Sequence, residues 1–239
     1  MNVAVMSDIH GFAPALEAVL ADIRDQEIDQ IVVAGDLCKG GPDPGRVIEL
    51  VRKHGIRCVY GNTDEDLFAD EPAATELSQW TRRNIGVEGM AFLGSLPFSI
   101  RIPHHNGGGD PSTDLLVVHA NPTDVNRHLS PTASDREVKE ILGGEIARTI
   151  AFGHLHVAYT REIDGTTLVD VAAVGNPRDG DLRPRYVVFG DDRDLGWSHR
   201  YRYVEYPLEE TRRRMEDSGM PQWEQAFDYL RSAGYNRPI

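Results

Sequence analysis

Short runs rich in β-branched residues alternate with helical patterns at the start of the chain, and this alternation constrains the fold more than any other feature. The runs are NVAVMS (2–7), QIVVAG (30–35) and IRCVYG (56–61). Pro14 opens a helix with apolar residues at i, i+3, i+4 and i+7, and a second helical pattern covers 47–54. This order predicts βαβ units at the start of an α/β fold.

The pattern changes near the middle of the chain. We predict a mainly helical region over 71–96, and after it mostly strands joined by short turns, at 98–103, 115–120, 148–154, 157–163, 166–174 and 184–190. The capping box of Ser134 and Glu137 starts a single helix among them. The segment 104–114 contains three consecutive glycines, and we expect it to form a flexible hairpin loop.

The tail of the chain is again helical in pattern. Two helices are predicted from Pro207 onward, the second beginning at Pro221. A chain of 239 residues with 40% hydrophobic content can bury one sizeable core. We therefore expect one main domain over 1–206 and a C-terminal helical extension over 207–239 that packs against it.

Composition excludes some classes of function. The net charge is −13, from 38 acidic and 25 basic residues, so we expect no broad nucleic-acid-binding surface. Two cysteines, Cys38 and Cys58, do not make a secreted disulfide framework in a chain of this length. The sequence shows neither a signal peptide nor a membrane-spanning run. We expect a cytoplasmic protein without a membrane partner; the oligomeric state stays open.

Polar residues with metal-binding side chains follow several predicted strands. Each lies where a strand ends, which is where open α/β sheets gather functional groups; the residues are Asp8, His10, Asp36, Asn62, His119, His154 and His156. Taken singly, each has an ordinary explanation as a turn residue, a helix cap or a buried histidine. Because side chains along an extended segment alternate, we expect Asp8 and His10 to point the same way and to reach one cation. The joint occurrence favours a metal site.

The same residues lie in five motifs, DIH, GDLCKGG, GNTD, VHA and GHLH, in that order. This set resembles the calcineurin-like metallophosphoesterase superfamily over roughly residues 1 to 190, and a GNPRDGD segment (175–181) resembles its small bacterial and archaeal branch. The resemblance implies a four-layer αββα sandwich of two mixed β-sheets flanked by helices. It also implies a first metal held by Asp8, His10 and His156 and a second held by Asn62, His119 and His154, with Asp36 bridging.

The chemistry of such a centre follows from its ligands. Two cations about 3.5–4 Å apart share a water, lower its pKa and clamp a phosphoryl group during in-line attack by the bridging hydroxide. Imidazole, carboxylate and amide ligands favour divalent transition-metal ions, with Mn or Fe expected first and Ni, Co or Zn as alternatives. The resemblance therefore implies a metal-dependent hydrolase whose partner is a phosphate-ester substrate.

One position departs from the superfamily pattern. Thr63 stands where many phosphatases of this superfamily have a histidine near the leaving group, and threonine is not a proton donor near neutral pH. Phosphodiesters are therefore favoured as substrates over phosphomonoesters or phosphoproteins. A non-catalytic metal-binding scaffold is a further alternative, although no ligand is lost. A (β/α)₈ amidohydrolase is disfavoured because the first strand ends in Asp-x-His and the chain is short.

Other residues near the motifs have two interpretations each. We count Asn62, Asp64 and His119 as catalytic candidates, with Asp64 orienting a ligand histidine. Arg178 and Asn62 are candidate substrate contacts, and the alternative for Arg178 is a salt bridge to Asp179 or Asp181. We expect Lys39 to be solvated. Cys38 is expected to be a small buried residue rather than an oxidation-sensitive thiol.

The helical region offers a further set of polar residues. Arg82, Arg83 and Asn84 are adjacent in sequence. They either line the cleft or form an ordinary polar face, and the sequence does not separate these interpretations.

Overall fold

The computed structural model describes residues 1–70, 74–192 and 196–234. The first part of the chain alternates strand and helix as predicted, in the order β1 (Asn2–Met6), α1 (Ala13–Arg24), β2 (Gln30–Ala34), α2 (Pro44–Lys53), β3 (Arg57–Val59), α3 (Asn62–Glu65) and α4 (Glu76–Gly94). The second part is mostly extended, with β4 (Ser99–Ile102), β5 (Leu115–Val118), α5 (Asp135–Leu142), β6 (Thr149–Phe152), β7 (Tyr159–Ile163), β8 (Thr166–Asp170), β9 (Arg185–Asp192), β10 (Gly196–Tyr203), α6 (Leu208–Asp217) and α7 (Trp223–Ser232).

The strands form two mixed five-stranded sheets. The first has the order β10-β9-β1-β2-β3, and the second has the order β4-β5-β6-β8-β7. Strands β1 to β3 are mutually parallel, as are β5, β6 and β8. In each sheet the parallel strands therefore bring their carboxyl ends to one edge, and the loops that follow them meet there.

The side chains of each strand point alternately to the two faces of its sheet, and this alternation defines four layers. On β1, Val3 and Val5 belong to an apolar cluster that also contains Val117 of β5, so these side chains fill the space between the two sheets. Ala4 and Met6 face the other way and join the cluster formed with helices α1 and α2. The outer face of the second sheet packs on α5. The predicted αββα sandwich is confirmed.

The C-terminal helices share the core of the first sheet. Met215 of α6 and Phe227 and Leu230 of α7 belong to the same buried cluster as α1 and α2. The Gly180 N–H donates to the carbonyl of Ala233 at 2.8 Å, which ties the end of α7 to the loop before β9. The tail therefore packs on the main body of the protein. No helix within the described residues is both long enough and apolar enough to cross a membrane.

Some elements differ from the sequence-based prediction. Strand β10 was not predicted, although Trp197 and Tyr201 show the alternation of an edge strand that packs one face on the core. Asn62 was expected to end the third strand, but β3 ends at Val59, and Asn62–Glu65 forms a short helix followed by a 3-10 turn at Asp66–Phe68. Helix α7 begins at Trp223, two residues after Pro221. Residues 71–73 of the predicted helical region lie outside the described residues.

Candidate metal centre

Seven predicted ligands converge at the edge where the parallel strands end. Asp8 and His10 follow β1, Asp36 follows β2, Asn62 begins α3 after β3, and the histidines follow β5 and β6. Five of the seven are buried, namely Asp8, His10, Asp36, His119 and His156. The other two, Asn62 and His154, are half-buried.

The backbone that carries these residues is not extended. The φ angles are positive at five of the seven ligands, at 54° for Asp8, 51° for His10, 56° for Asp36, 72° for His154 and 63° for His156. Asp8 and His10 face one site as expected, with His10 Nε2 3.6 Å from Asp8 Oδ1, but left-handed turns align them rather than the alternation of an extended strand. Left-handed backbone in residues other than glycine costs energy and is concentrated at functional sites. Here it turns each chain segment so that the side chain faces the common edge.

Glycine allows two of these loops to approach closely. A Cβ at Gly35 would lie 2.7 Å from the Nδ1 atom of His119, and a Cβ at Gly61 would lie 2.2 Å from the Oδ1 atom of Asp36. Gly61 has an ordinary negative φ (−111°), so glycine is required there only because a side chain would collide with Asp36. The glycines of the GD and GN motifs therefore make room for the neighbouring ligand.

The side chains form two groups of donor atoms. In the first group, the Nε2 atom of His156 lies 3.1 Å from both the Oδ1 atom of Asp8 and the Nε2 atom of His10. In the second group, the Oδ1 atom of Asn62 lies 2.9 Å from His119 Nε2 and 2.9 Å from His154 Nδ1. Ligands held at about 2.1 Å by one ion have mutual separations of this size. Each group can hold one cation.

Asp36 lies between the two groups. Its Oδ2 atom is 3.6 Å from His10 Nε2, and its Oδ1 atom is 3.5 Å from His119 Nε2. The Thr63 N–H also donates to Oδ1 at 2.9 Å. One carboxylate thus faces both groups with separate oxygens, as a bridging ligand does.

The protonation of the rings fits cation binding. The Nδ1 atoms of His10, His119 and His156 lie 2.5–2.8 Å from the carbonyl oxygens of Lys39, Ala34 and Asn176, respectively. A carbonyl only accepts, so Nδ1 carries the proton and Nε2 of the neutral ring presents a lone pair. These lone pairs face carboxylates, and the buried Oδ1 atom of Asp8 has no hydrogen-bond partner among the described residues. A cation in each group would satisfy these atoms.

Burial and neighbouring charges together set the pKa values of the residues at the site. Burial lowers the pKa of His154 to about 4, helped by the neighbouring His119, and burial also lowers the pKa of His156. Burial opposes charge on Asp8, but the nearby His156 and His10 outweigh it and hold its pKa well below the usual value. Burial also opposes charge on His10 and His119, but the nearby carboxylates outweigh it and raise the pKa of both rings. A cation bound here would compete with the proton for these two imidazoles.

Asp64 holds the backbone of the site rather than a ligand histidine, which corrects our expectation. Its Oδ2 atom accepts the N–H groups of Asp36 (2.8 Å) and Gly61 (3.0 Å), and its Oδ1 atom accepts the N–H of Leu37 (2.9 Å). Burial raises the pKa of Asp64 to about 7, with repulsion from Asp36 adding to it. Asp64 fixes the loop that presents Asp36.

Arg178 lies beside the first donor group. Its backbone N–H donates to the carbonyl of His156 at 3.1 Å. Its guanidinium lies over the ring of Tyr229, 5.4 Å from the ring centroid. Asp179 and Asp181, its alternative partners, form ion pairs with Arg185 and Arg183, respectively.

The remaining candidates near the motifs have structural contacts. Lys39 is not solvated as expected, because its Nζ pairs with Asp66 at 2.8 Å. Cys38 is fully buried, and burial raises the pKa of its thiol well above the usual value, so it is an inert core residue as predicted. Arg82 donates to the carbonyl of Leu67 at 2.7 Å and so braces the 3-10 turn.

Sequence reasoning missed one residue at the site. His128, in the loop after β5, is exposed, and its ring stacks on His154 with centroids 6.3 Å apart and planes inclined by 25°. No motif marks it. The only signal was its position in a loop that follows a ligand-bearing strand, because such loops surround the site.

An αββα sandwich that gathers imidazole, carboxylate and amide donors around Asp36, where its parallel strands end, is typical of metallohydrolases. A family model for the calcineurin-like phosphoesterase superfamily domain matches residues 1–193. The chain belongs to this superfamily, and it is a metal-dependent hydrolase of phosphate esters. The identity inferred from the five motifs is thereby confirmed.

Several known proteins are similar to this chain. A metallophosphoesterase from Sphaerobacter thermophilus has a crystal structure that matches with a TM-score of 0.77 and 27% identity, covering 98% of this chain and 100% of that one. An uncharacterised protein of Methanocaldococcus jannaschii is 28% identical over 92% of this chain and 94% of its own length. The symmetrical bis(5'-nucleosyl)-tetraphosphatase of Pectobacterium carotovorum is 33% identical over 104 residues, which are 35% of this chain and 37% of that enzyme.

Proposed function

We propose that this protein is a phosphodiesterase that uses two divalent transition-metal ions. The observation that carries the proposal is the arrangement of Asp36, whose two oxygens face two separate groups of imidazole and oxygen donors. A single-metal site does not need a carboxylate placed in this way. The ligand types favour Mn or Fe, with Ni, Co and Zn also compatible.

Each residue of the centre has a defined task in this proposal. Asp8, His10 and His156 hold one ion, and Asn62, His119 and His154 hold the other. Two ions held in this way supply an activated water and a clamp for the phosphoryl oxygens. Asn62 turns its Oδ1 atom toward the donor group, so its amide nitrogen can donate to a phosphoryl oxygen. Arg178 adds positive charge beside the first ion.

The preference for diesters rests on Thr63. Its N–H is committed to Asp36, and its buried hydroxyl has no hydrogen-bond partner among the described residues. A threonine hydroxyl is not a general acid near neutral pH. Esters with activated leaving groups, including aryl diesters and phosphoanhydrides, are therefore the expected substrates. The partial similarity to a bis(5'-nucleosyl)-tetraphosphatase makes dinucleoside tetraphosphates the second candidate class.

The test is a metal-reconstitution assay on the full chain. Protein stripped with a chelator receives Mn, Fe, Ni, Co, Zn or Mg and then bis(p-nitrophenyl) phosphate, p-nitrophenyl phosphate or diadenosine tetraphosphate, with Asp36→Asn as the control. We expect diester turnover that requires a transition metal and is lost in the control. Dominant monoester turnover would retain the metal centre but overturn the argument from Thr63. Two bound ions with no turnover of any substrate would favour the scaffold alternative.

A further inference from the structure

The two donor groups differ in the exposure of their ligands. The residues of the first donor group and Asp36 are buried, whereas Asn62 and His154 of the second group are half-buried. Thr63, next to Asn62, is also half-buried. The second group therefore has the more accessible ligands.

His128 lies beside the second donor group. Its ring is inclined by 25° to the ring of His154, with centroids 6.3 Å apart, and its side chain is exposed. His154 turns its Nδ1 atom toward Asn62 and His119. The exposed His128 imidazole therefore stacks on a ligand of the second group.

The loop that carries His128 is tightly held on both sides of this residue. Buried Asn121 donates from Nδ2 to the carbonyl of Arg127 at 2.6 Å, and the Oδ1 atom of Asp124 accepts the N–H of Arg127 at 2.6 Å. The hydroxyl of Tyr159 donates to the carbonyl of Leu129. The backbone on either side of an exposed histidine is thus fixed, which is the arrangement of a side chain presented to a ligand.

We propose that His128 is a substrate-binding residue that donates a hydrogen bond to a phosphoryl oxygen of the bound phosphate ester. This inference rests on the proposed function, and it assigns a donor beside His154, a half-buried ligand of the second group. The interaction needs an N–H at the tip of the side chain, not a change of charge. An asparagine, which also carries an N–H donor, can therefore replace the histidine in part.

The experiment compares three variants of the full chain, His128→Ala, His128→Asn and His54→Asn. His54 is an exposed histidine at the end of α2 and serves as the matched control. With the Mn-loaded enzyme and bis(p-nitrophenyl) phosphate, we expect His128→Ala to lower kcat/KM by about 10- to 100-fold, mainly through KM, because a hydrogen bond to a charged group is lost. We expect His128→Asn to retain kcat/KM within about threefold and His54→Asn to match the wild type.

Metal binding separates this role from a purely structural one. Calorimetric titration with Mn should give the same stoichiometry and affinity for the wild type and His128→Ala. Weaker metal binding by His128→Ala with an unchanged KM would mean that His128 only holds His154, and it would overturn the proposal. Unchanged kinetics in His128→Ala would overturn it as well.

A binding assay keeps the proposal separate from the proposed activity. Inorganic phosphate is titrated into Zn-loaded wild type and His128→Ala, and we expect the variant to bind it about tenfold more weakly. If the wild type hydrolyses no ester but shows this difference in phosphate binding, the proposed function fails while the role of His128 stands. Equal phosphate affinity of both proteins, or no phosphate binding by either, would overturn the role of His128.

Discussion

Two clusters of histidine and aspartate lie at opposite edges of the sandwich. The metal centre lies where the parallel strands end. The second cluster, which we call the far cluster, consists of His104, His105 and Asp191, where β4 and β9 end; both strands run antiparallel to their parallel neighbours. In each cluster a buried aspartate side chain lies within 4 Å of two histidine rings. By residue type alone, both clusters could hold a metal ion.

The hydrogen bonds behind the rings differ between the clusters. In the far cluster the N–H of Asn106 donates to His104 Nδ1 at 3.2 Å, so the neutral ring carries its proton on Nε2. That atom lies 2.7 Å from Asp191 Oδ1 and 3.0 Å from the carbonyl of Asp192. His105 Nδ1 lies 2.5 Å from the same Asp191 oxygen. The far cluster thus satisfies its own polar atoms.

The metal centre has the reverse arrangement. Three of its four rings, those of His10, His119 and His156, donate from Nδ1 to backbone carbonyls, which leaves lone pairs and a carboxylate oxygen facing one another. A cation relieves this arrangement, whereas a cation at the far cluster would have to displace a backbone N–H from His104 Nδ1. The hydrogen bond of the ring nitrogen that faces the backbone therefore distinguishes the two clusters. This bond, rather than the set of side chains, decides which cluster can bind a metal ion.

The largest expected effect comes from replacing the aspartate of the metal centre, and the aspartate of the far cluster serves as the comparison. Asp36→Asn should lower metal-dependent diester turnover by about a thousandfold, because the bridging negative charge is lost. Asp191→Asn should keep turnover within about twofold, since it lies at the other edge. Calorimetry with Mn should show two ions per chain in the wild type and in Asp191→Asn. A third bound ion in the wild type that is absent from Asp191→Asn would show that the far cluster also binds metal, which would contradict the comparison.

A steric change at the metal centre should have a smaller effect. Gly61→Ala places a methyl group 2.2 Å from Asp36 Oδ1 and 2.6 Å from the Asp36 nitrogen, so the bridging residue has to move. We expect metal affinity and kcat/KM to fall by about 10- to 100-fold. Gly94→Ala is the matched control, because its methyl group would meet only Phe68 at 3.4 Å. Equal activity in the two variants would show that the site tolerates displacement of Asp36.

The support beneath the bridging residue gives a third test. Asp64→Asn replaces one accepting oxygen by an amide that faces backbone N–H groups, and we expect the free energy of unfolding to fall by about 1–3 kcal/mol in urea titrations. Metal affinity should fall about tenfold. Asp66→Asn, which removes only the ion pair to Lys39 at the surface, should change stability by less than about 1 kcal/mol. Full metal affinity in Asp64→Asn would remove its positioning role.

The smallest effect concerns pH and the far cluster. Burial opposes ionisation of Asp191, but hydrogen bonds from His105 and the nearby His104 outweigh it and lower its pKa. Its ionised form therefore stabilises the fold above the unfolded pKa of about 3.9, and this contribution is lost as the pH falls through the lower folded value. We expect Asp191→Asn to cost about 1 kcal/mol at pH 7.

Unfolding in urea at several pH values checks this expectation. The difference between wild type and Asp191→Asn should shrink as the pH falls below about pH 4. A difference that grows between about pH 4 and pH 2 would contradict the assigned direction of the pKa shift.

The parallel strands and the motifs were predictable because both depend on local sequence. Runs such as 2–7 and 30–35 are apolar because both faces of their strands are buried, and the structure confirms strands there. The edge strand β10 was missed because only one of its faces packs on the core and the other side carries Ser198 and Arg200. His128 was missed because its ring stacks on His154 of a different loop, and the sequence does not show that these two loops lie side by side.

The sequence by itself determined the order β1, α1, β2, α2 and β3, the family and the seven candidate ligands, since periodicity and motif spacing are properties of neighbouring residues. Only the tertiary structure decided how those residues are used. The left-handed backbone at Asp8 and His10, the amide contacts of Asp64 and the tautomers of the ligand histidines depend on groups far apart in the chain. Hydrogen bonds between distant loops fix these features, and for that reason the far cluster, built from the same residue types, satisfies its own donors and acceptors instead.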